Sequence, residues 1–413
     1  MTTEEYVLSL LDDLLELVKQ DAAPAAQNQW YYTRTHPAPE GVTPEQGPRG
    51  AWRWNPQMAR AAGLSDDDID SHLKTEVIEV EEDSEEGEEE FDEALQEGEI
   101  GSSALRDAID NDETAKNAID TLAGEGKPYI VGGSVRDALL GKPSKDVDIE
   151  VYGIPEDELS NIVETKLGGK KEQIGKSFGV FKVGDIDIAL PRTETATGTK
   201  HTDFDIKTDP NLPLEQAAKR RDFTFNALMY NYQDDEILDF FGGQEDIENK
   251  NIKHVDDDTF VEDPLRVYRA AQFAARFDFS IDPSTQKLAK SMDLSTLPKE
   301  RIFGEFEKMF LKSDTPSKGI QALEDMGVLD KHFSEIADLK GTHQREDYHA
   351  EGDVFTHTKM TLDEAAEIIK RFPDEKDKTI IMLATLCHDL GKPATATPDG
   401  RAIGHEEAGV EVA

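Results

Sequence analysis

Between residues 76 and 99 the chain carries 14 acidic side chains and no basic one. A run of that charge density has too little apolar surface to offset the entropy of ordering it, so no core can pass through it. The fold is therefore built from what stands on either side. Residues 1–64 read as an N-terminal extension of unknown role, 65–103 as an acidic disordered linker, and the rest as the working part. Within the extension, residues 5–19 place apolar side chains at helical spacing and predict one short amphipathic helix. Ala22 to Trp54, rich in Pro, Gly and aromatics, has no period and reads as loop or a small accessory module.

The acid excess is not confined to that run. The whole chain has 45 basic and 88 acidic side chains, a net of −43; residues 1–115 hold 30 acidic and 7 basic (−23), leaving 58 and 38 (−20) for the other 298. Such a surface repels nucleic acid at ordinary ionic strength, and molar salt screens that repulsion to within a few Å. The composition fits a halophilic host or its virus, with an acidic mesophilic protein as the plainer alternative. Cys387 is the only cysteine, which excludes an intrachain disulfide framework or a Cys-ligated zinc site. No apolar run is long enough for a membrane span, and Glu4 and Glu5 argue against a secretory signal, so a reducing, cytoplasmic setting is expected.

From about residue 104 the pattern alternates between helix and strand. Ala104 to Glu125 predicts a helix, Tyr129 to Val131 a buried strand ending in Gly132-Gly133, and Val135 to Leu140 a second helix. A strand at Val147 to Tyr152 and a hairpin-like pair at Gly179–Val183 and Asp185–Leu190 complete a small mixed sheet. Beyond about residue 260 the chain reads as helical, at Asp263–Phe277, Pro283–Met292, Lys299–Leu311, Ser317–Met326 and Thr358–Arg371. The fold class is α+β, a mixed-sheet head at 104–240 with an all-helical extension.

Two glycines at a strand-to-helix turn expose backbone N–H groups beside a helix N-terminus, where the dipole favours an anion. Gly132 and Gly133 stand at such a turn, and Arg136, one turn on, adds a charge for a triphosphate. Side chains two apart on a strand share a face, so Asp146 and Asp148 can jointly hold Mg²⁺, with Asp187 as a third carboxylate from a neighbouring strand. Hard oxygen ligands beside a phosphate pocket suit nucleotidyl transfer. Gly175 to Phe181 lacks the Walker spacing and reads as a turn into a strand. Thr193 to Lys200, rich in Thr and Gly, reads as a mobile loop.

Two further blocks follow in order, Arg220-Arg221-Asp222-Phe223-Thr224-Phe225-Asn226 and Glu262-Asp263-Pro264-Leu265-Arg266-Val267-Tyr268-Arg269. With them the chain, from about Lys127 onward, resembles the class II (bacterial-type) tRNA nucleotidyltransferases, the CCA-adding enzyme family, whose polymerase-β-like head is shared with bacterial poly(A) polymerases. The resemblance implies that Gly133, Arg136, Arg221 and Arg269 hold the nucleotide and that Asp222 and Asn226 shape its ribose pocket. Cytosine and adenine both present an exocyclic amino donor beside a ring-nitrogen acceptor. Asp263 can accept from the first and Arg266 donate to the second. The resemblance implies that this pair, three apart on one helix face, is a protein template selecting CTP and ATP. Where the family carries a further Arg three residues after Arg269, this chain has Gln272. The implied layout is a helical neck at 241–300, a helical body gripping the tRNA acceptor stem at 301–345, and a partial HD domain at 346–413.

That last segment carries His357, then His388-Asp389, then Gly404-His405-Glu406. A His-Asp doublet with a distant upstream His is a hard-metal site for phosphate-ester hydrolysis, suited to Mn²⁺, Mg²⁺ or Ni²⁺. It resembles the HD domain that some CCA-adding enzymes carry. The resemblance also implies a further metal-binding His/Asp set beyond Ala413, so the HD region reads as incomplete and its hydrolase activity as impaired. His343 and His349 receive no role. The expected activity is Mg²⁺-dependent CCA addition to tRNA from CTP and ATP, with Asp146 and Asp148 holding two ions. The alternatives are poly(A) addition, CC-only or A-only addition, or a catalytically impaired RNA-binding accessory protein.

Overall fold

The computed structural model describes residues 99–142, 147–172, 180–196, 204–345, 349 and 351–412, with three short strands nearer the N-terminus. The expected helix at 5–19, residues 65–98 of the expected linker, the Gly175 turn and Asp146 itself fall outside the described residues, and the rest of that linker, 99–103, is helical rather than disordered. The chain divides into two units, Met1–Phe91 and Asp92–Ala413. In the first, β1 (Tyr31–Tyr32), β3 (Trp52–Trp54) and β2 (Glu45–Gln46) form a three-stranded antiparallel sheet in that order, within the stretch read as aperiodic.

The second unit opens with two helices, Glu99–Asp110 and Glu113–Ala123, where the sequence pattern predicts one. The break is chemical: the Asp112 carboxylate accepts from the backbone N–H groups of Thr114 and Ala115, capping a new helix. The second helix buries Ala115, Ala118, Ile119 and Leu122, the i, i+3, i+4, i+7 face of an amphipathic segment.

The head sheet comprises β4 (Lys127–Val131), β5 (Val147–Tyr152), β6 (Lys170–Glu172), β7 (Val180–Val183), β8 (Ile186–Ala189), β11 (Met229–Asn231) and β12 (Glu236–Leu238). Their order is β12-β11-β4-β5-β8-β7-β6. Every pairing is antiparallel except β5 with β8. β7 and β8 form the expected hairpin, turning at Gly184 with φ of 61°, a conformation that favours glycine. Thr193 to Ala196, half of the expected mobile loop, lies instead in strand β9 (Arg192–Ala196), paired along its length with β10 (Phe204–Thr208). Alternating β-branched Thr193 and Thr195 fit a ribbon better than a loop.

Six phenylalanines, Phe223, Phe225, Phe260, Phe273, Phe277 and Phe279, pack ring against ring with centroids 5.4–6.3 Å apart. They join the end of the head to the helix Leu265–Phe277, whose buried residues include Val267, Tyr268, Ala270, Ala271 and Phe273. Helices Pro283–Ser291, Lys299–Leu311, Pro316–Asp325, Val354–Ile369 and Glu375–Cys387 continue the chain. Val354–Ile369 begins four residues before the expected Thr358, because Asp353 caps it through the Thr356 N–H. Among the described residues no helix is long and apolar enough to cross a membrane.

Candidate functional site

The parallel pairing of β5 with β8 sets Asp148 directly opposite Asp187. In-register residues on parallel strands point to the same face, with neighbouring strands about 5 Å apart. Asp148 is exposed, and its backbone N–H donates to the Ser134 hydroxyl at 3.3 Å, tying β5 to the helix Gly133–Leu139 that follows the glycine turn. Asp187 pairs with Lys182 across the hairpin at 3.3 Å. Glu150 lies on the same face two residues beyond Asp148 and is 3% exposed. It binds Arg220 at 2.6 Å and Arg221 at 3.0 Å. Burial alone would raise its carboxyl, but the two guanidinium charges hold it below its ordinary value.

Arg221 in turn lies over Gly132, whose φ of 72° suits glycine; a Cβ added there would come within 2.9 Å of the Arg221 Nη1. The Gly132 N–H donates to the Leu228 carbonyl at 3.2 Å. The positive φ makes Gly132 the glycine this turn requires, while a Cβ at Gly133 would come within 3.3 Å of the Arg136 Nη2.

Asp222 is the hub of the next group. It is buried, receiving the Arg269 Nε at 2.7 Å and the Asn226 amide at 2.9 Å. Burial would raise its carboxyl, yet the Arg269 charge, the Asn226 hydrogen bond and the Arg266 charge bring it down to about 2. Asn226 accepts from Arg136 at 2.5 Å. Arg136 is 5% exposed, bound to Asp137 and stacked on Phe277 at 4.7 Å. Arg136, Asn226, Asp222 and Arg269 thus form one continuous chain of polar contacts from the glycine-turn helix to the helix Leu265–Phe277.

Asp263 and Arg266 do not share a helix face. Asp263 caps the preceding helix Asp257–Glu262 in an extended conformation, and the next helix begins only at Leu265, because Pro264 starts it. The Asp263 carboxylate accepts from the Leu265 N–H at 3.1 Å and pairs with Arg301 at 3.1 Å. Arg266 donates to the backbone carbonyls of Arg220 at 2.7 Å and Thr259 at 2.8 Å. Gln272 is 2% exposed, and its Nε2 has no hydrogen-bond partner among the described residues.

In the C-terminal region Asp389, 1% exposed, gathers three imidazoles. His388 Nε2 lies 3.1 Å, His405 Nε2 3.6 Å and His357 Nε2 3.9 Å from its carboxylate, and Lys392 Nζ 2.7 Å. Burial would raise the Asp389 carboxyl, but His388 and Lys392 hold it well below the ordinary range. His357, His388 and Asp389 offer two nitrogens and a carboxylate oxygen within 4.8 Å of one another, a donor set that fits a hard divalent ion. His349, given no role from sequence, stands beside His357 with ring centroids 4.8 Å apart.

Sequence reasoning missed Glu150, Arg301, Glu351 and Lys392. For Glu150 a signal was present: it continues the two-residue spacing of Asp146 and Asp148. Lys392 and Glu351 are three and six residues from the site residues they bind, and Arg301 reaches Asp263 from 38 residues away.

Three sequence families match this chain in order. The "Poly A polymerase head domain" covers residues 128–253, the "Probable RNA and SrmB- binding site of polymerase A" 278–340, and the "HD domain" 354–413. The "Multifunctional CCA protein" of Pasteurella multocida is 39% identical over 296 residues, 69% of this chain and 67% of that protein. Its namesake from Dechloromonas aromatica is 39% identical over 294 residues, with the same coverage of both chains. Among solved structures, the Thermotoga maritima CCA-adding enzyme complexed with tRNA is 20% identical with a TM-score of 0.43, covering 70% of this chain and 79% of that one, too distant to transfer any position. The identity to the two curated proteins, over two thirds of each chain, together with the three families in order, makes the chain a member of the class II CCA-adding enzyme family, an enzyme of the nucleotidyltransferase class.

Proposed function

We propose that this enzyme builds or repairs the 3′-terminal CCA of tRNA from CTP and ATP. The observation that carries the reading is the pairing of Asp148 with Asp187 beside the Gly132-Gly133 turn, with arginines on the wall behind. The tRNA 3′-oxygen attacks the α-phosphorus, the α–β phosphoanhydride bond breaks, and pyrophosphate leaves. Asp146, Asp148 and Asp187 would hold Mg²⁺, which when bound polarises the triphosphate and favours the 3′-alkoxide. The Gly132 N–H is held by the Leu228 carbonyl, so the phosphates would meet the N–H groups that follow it, at Gly133 and the start of the helix Gly133–Leu139. Arg221, fixed by Glu150, adds positive charge at that turn.

In this reading Asp222, anionic at any working pH, keeps Arg269 aimed and orients Asn226 towards the ribose. Asp263 accepts from the amino group of cytosine or adenine and Arg266 donates to the ring nitrogen. The partners they hold here, Arg301 and the Arg220 and Thr259 carbonyls, are exchanged for the base. The helical segments after residue 278 grip the acceptor stem by shape and backbone contact.

The test is extension of tRNA lacking CCA with labelled CTP and ATP in Mg²⁺ and molar KCl, beside Asp148→Ala and Asp187→Ala. Ordered addition of two C and one A, falling to background in both variants, is the expected result. Incorporation of ATP alone in long runs would replace the reading with poly(A) addition, and no incorporation by the wild-type chain would refute it.

A further inference from the structure

The three imidazoles around Asp389 share a feature of their hydrogen bonding. His388 Nδ1 lies 2.7 Å from the Thr385 carbonyl and His405 Nδ1 2.7 Å from the Ala402 carbonyl. A carbonyl only accepts, so each Nδ1 carries a proton, and in the neutral imidazole each Nε2 then presents its lone pair towards Asp389. His357 has no carbonyl at Nδ1. It has Glu351, whose Oε1 lies 2.7 Å from His357 Nδ1 and 3.0 Å from His349 Nδ1. A carboxylate imposes the same outcome: Nδ1 donates, and in the neutral ring the His357 Nε2 lone pair faces the Asp389 carboxylate. Lone pairs converging on a buried carboxylate repel one another unless a proton or a metal cation stands among them, and the Lys392 ammonium lies 2.7 Å from one oxygen of Asp389.

We propose that Glu351 is the positioning residue of this site, fixing His357 in the Nδ1–H tautomer so that Nε2 is available to a divalent cation. The proposal rests on His357, His388 and Asp389 holding such an ion. Glu351 is supplied by the loop before the helix Val354–Ile369, six residues before His357. That loop is fastened at Asp353, which accepts from the Gly341 N–H at 2.7 Å and from Thr356 at 2.9 Å. The carboxylate is thereby held while His357 turns on the first turn of its helix. An outer carboxylate of this kind orients a ligating histidine and raises its basicity. His349 shares the same oxygen and braces it from the other side.

The experiment uses the full chain in two measurements. Nitrogen-15 correlation spectra of histidine-labelled, metal-free protein at pH 8 report which His357 nitrogen is protonated. Mn²⁺ titration, read by the EPR signal of the free ion, reports affinity. The wild-type chain and Glu351→Gln, whose amide oxygen still accepts, should show the Nδ1–H pattern and similar affinity. Glu351→Ala should lose the pattern and bind Mn²⁺ about 10- to 100-fold more weakly. An Nε2–H pattern in the wild-type chain overturns the proposal even if the Ala variant fails to fold, as does an Ala variant with unchanged spectrum and affinity. Asp389→Asn separates the two premises. If that variant binds Mn²⁺ as the wild type does, the metal reading fails whatever Glu351 does. If it abolishes binding while Glu351→Ala does not weaken it, the metal stands and the role of Glu351 falls.

Discussion

Replacing Asp222 by Asn keeps the shape of the side chain and removes its charge from the centre of the nucleotide wall. The carboxyl is buried, which by itself favours the neutral acid, but Arg269, the Asn226 amide and Arg266 lower it from 3.8 to about 2. At about 1.4 kcal/mol per pKa unit, the native state favours the charged form by roughly 2–3 kcal/mol. The sign follows from linkage. A depressed carboxyl stabilises the fold above its unfolded value and loses that contribution as pH falls through the folded value. Asp222→Asn should therefore unfold more easily than wild type by roughly 2–3 kcal/mol at pH 6–7, with the gap closing as the pH approaches 2. Urea unfolding should be followed by far-UV circular dichroism, because Trp30, Trp52 and Trp54 are the only tryptophans and none lies in the head. Nucleotide affinity should fall as well, since Arg269 and Asn226 both lose their anchor. A stability gap that is the same at pH 3 as at pH 7 would refute the argument, because only the ionised carboxylate makes these contacts.

Glu150→Gln leaves Arg220 and Arg221 beside a neutral group in a buried position, and should cost about 3 kcal/mol in thermal unfolding and raise the KM for CTP. An unchanged KM would show that Arg221 is positioned without it. Asp112→Ala removes an N-cap and should cost about 1 kcal/mol, with extension activity measured below the melting range unaltered; lost activity there would tie this helix to the site.

Much of the head was legible from short-range pattern. The glycine turn, the strand carrying Asp148 and the β7–β8 hairpin stand where alternation and turn residues put them, since a period of two and a tight turn are local properties. Local reading failed where one capping residue outweighed the apolar period. Asp112 split a helix, and Pro264 moved Asp263 off the helix that carries Arg266. Thr193 and Thr195 belonged to a ribbon whose partner strand lies beyond the sequence window in which they were read.

The sequence by itself determined the family, the order of the motifs and the identity of the acidic strand, because each is written in neighbouring residues. Tertiary structure alone decided which groups meet. The β5–β8 register sets Asp187 beside Asp148, Asn226 receives Arg136 from 90 residues away, and Arg301 takes Asp263 from 38 residues away. Glu351 lies only six residues from His357, yet its role depends on the loop geometry that turns its carboxylate back onto Nδ1. Residue types set which bonds can form, but distance and direction select among them, and those are fixed only when the whole core has packed.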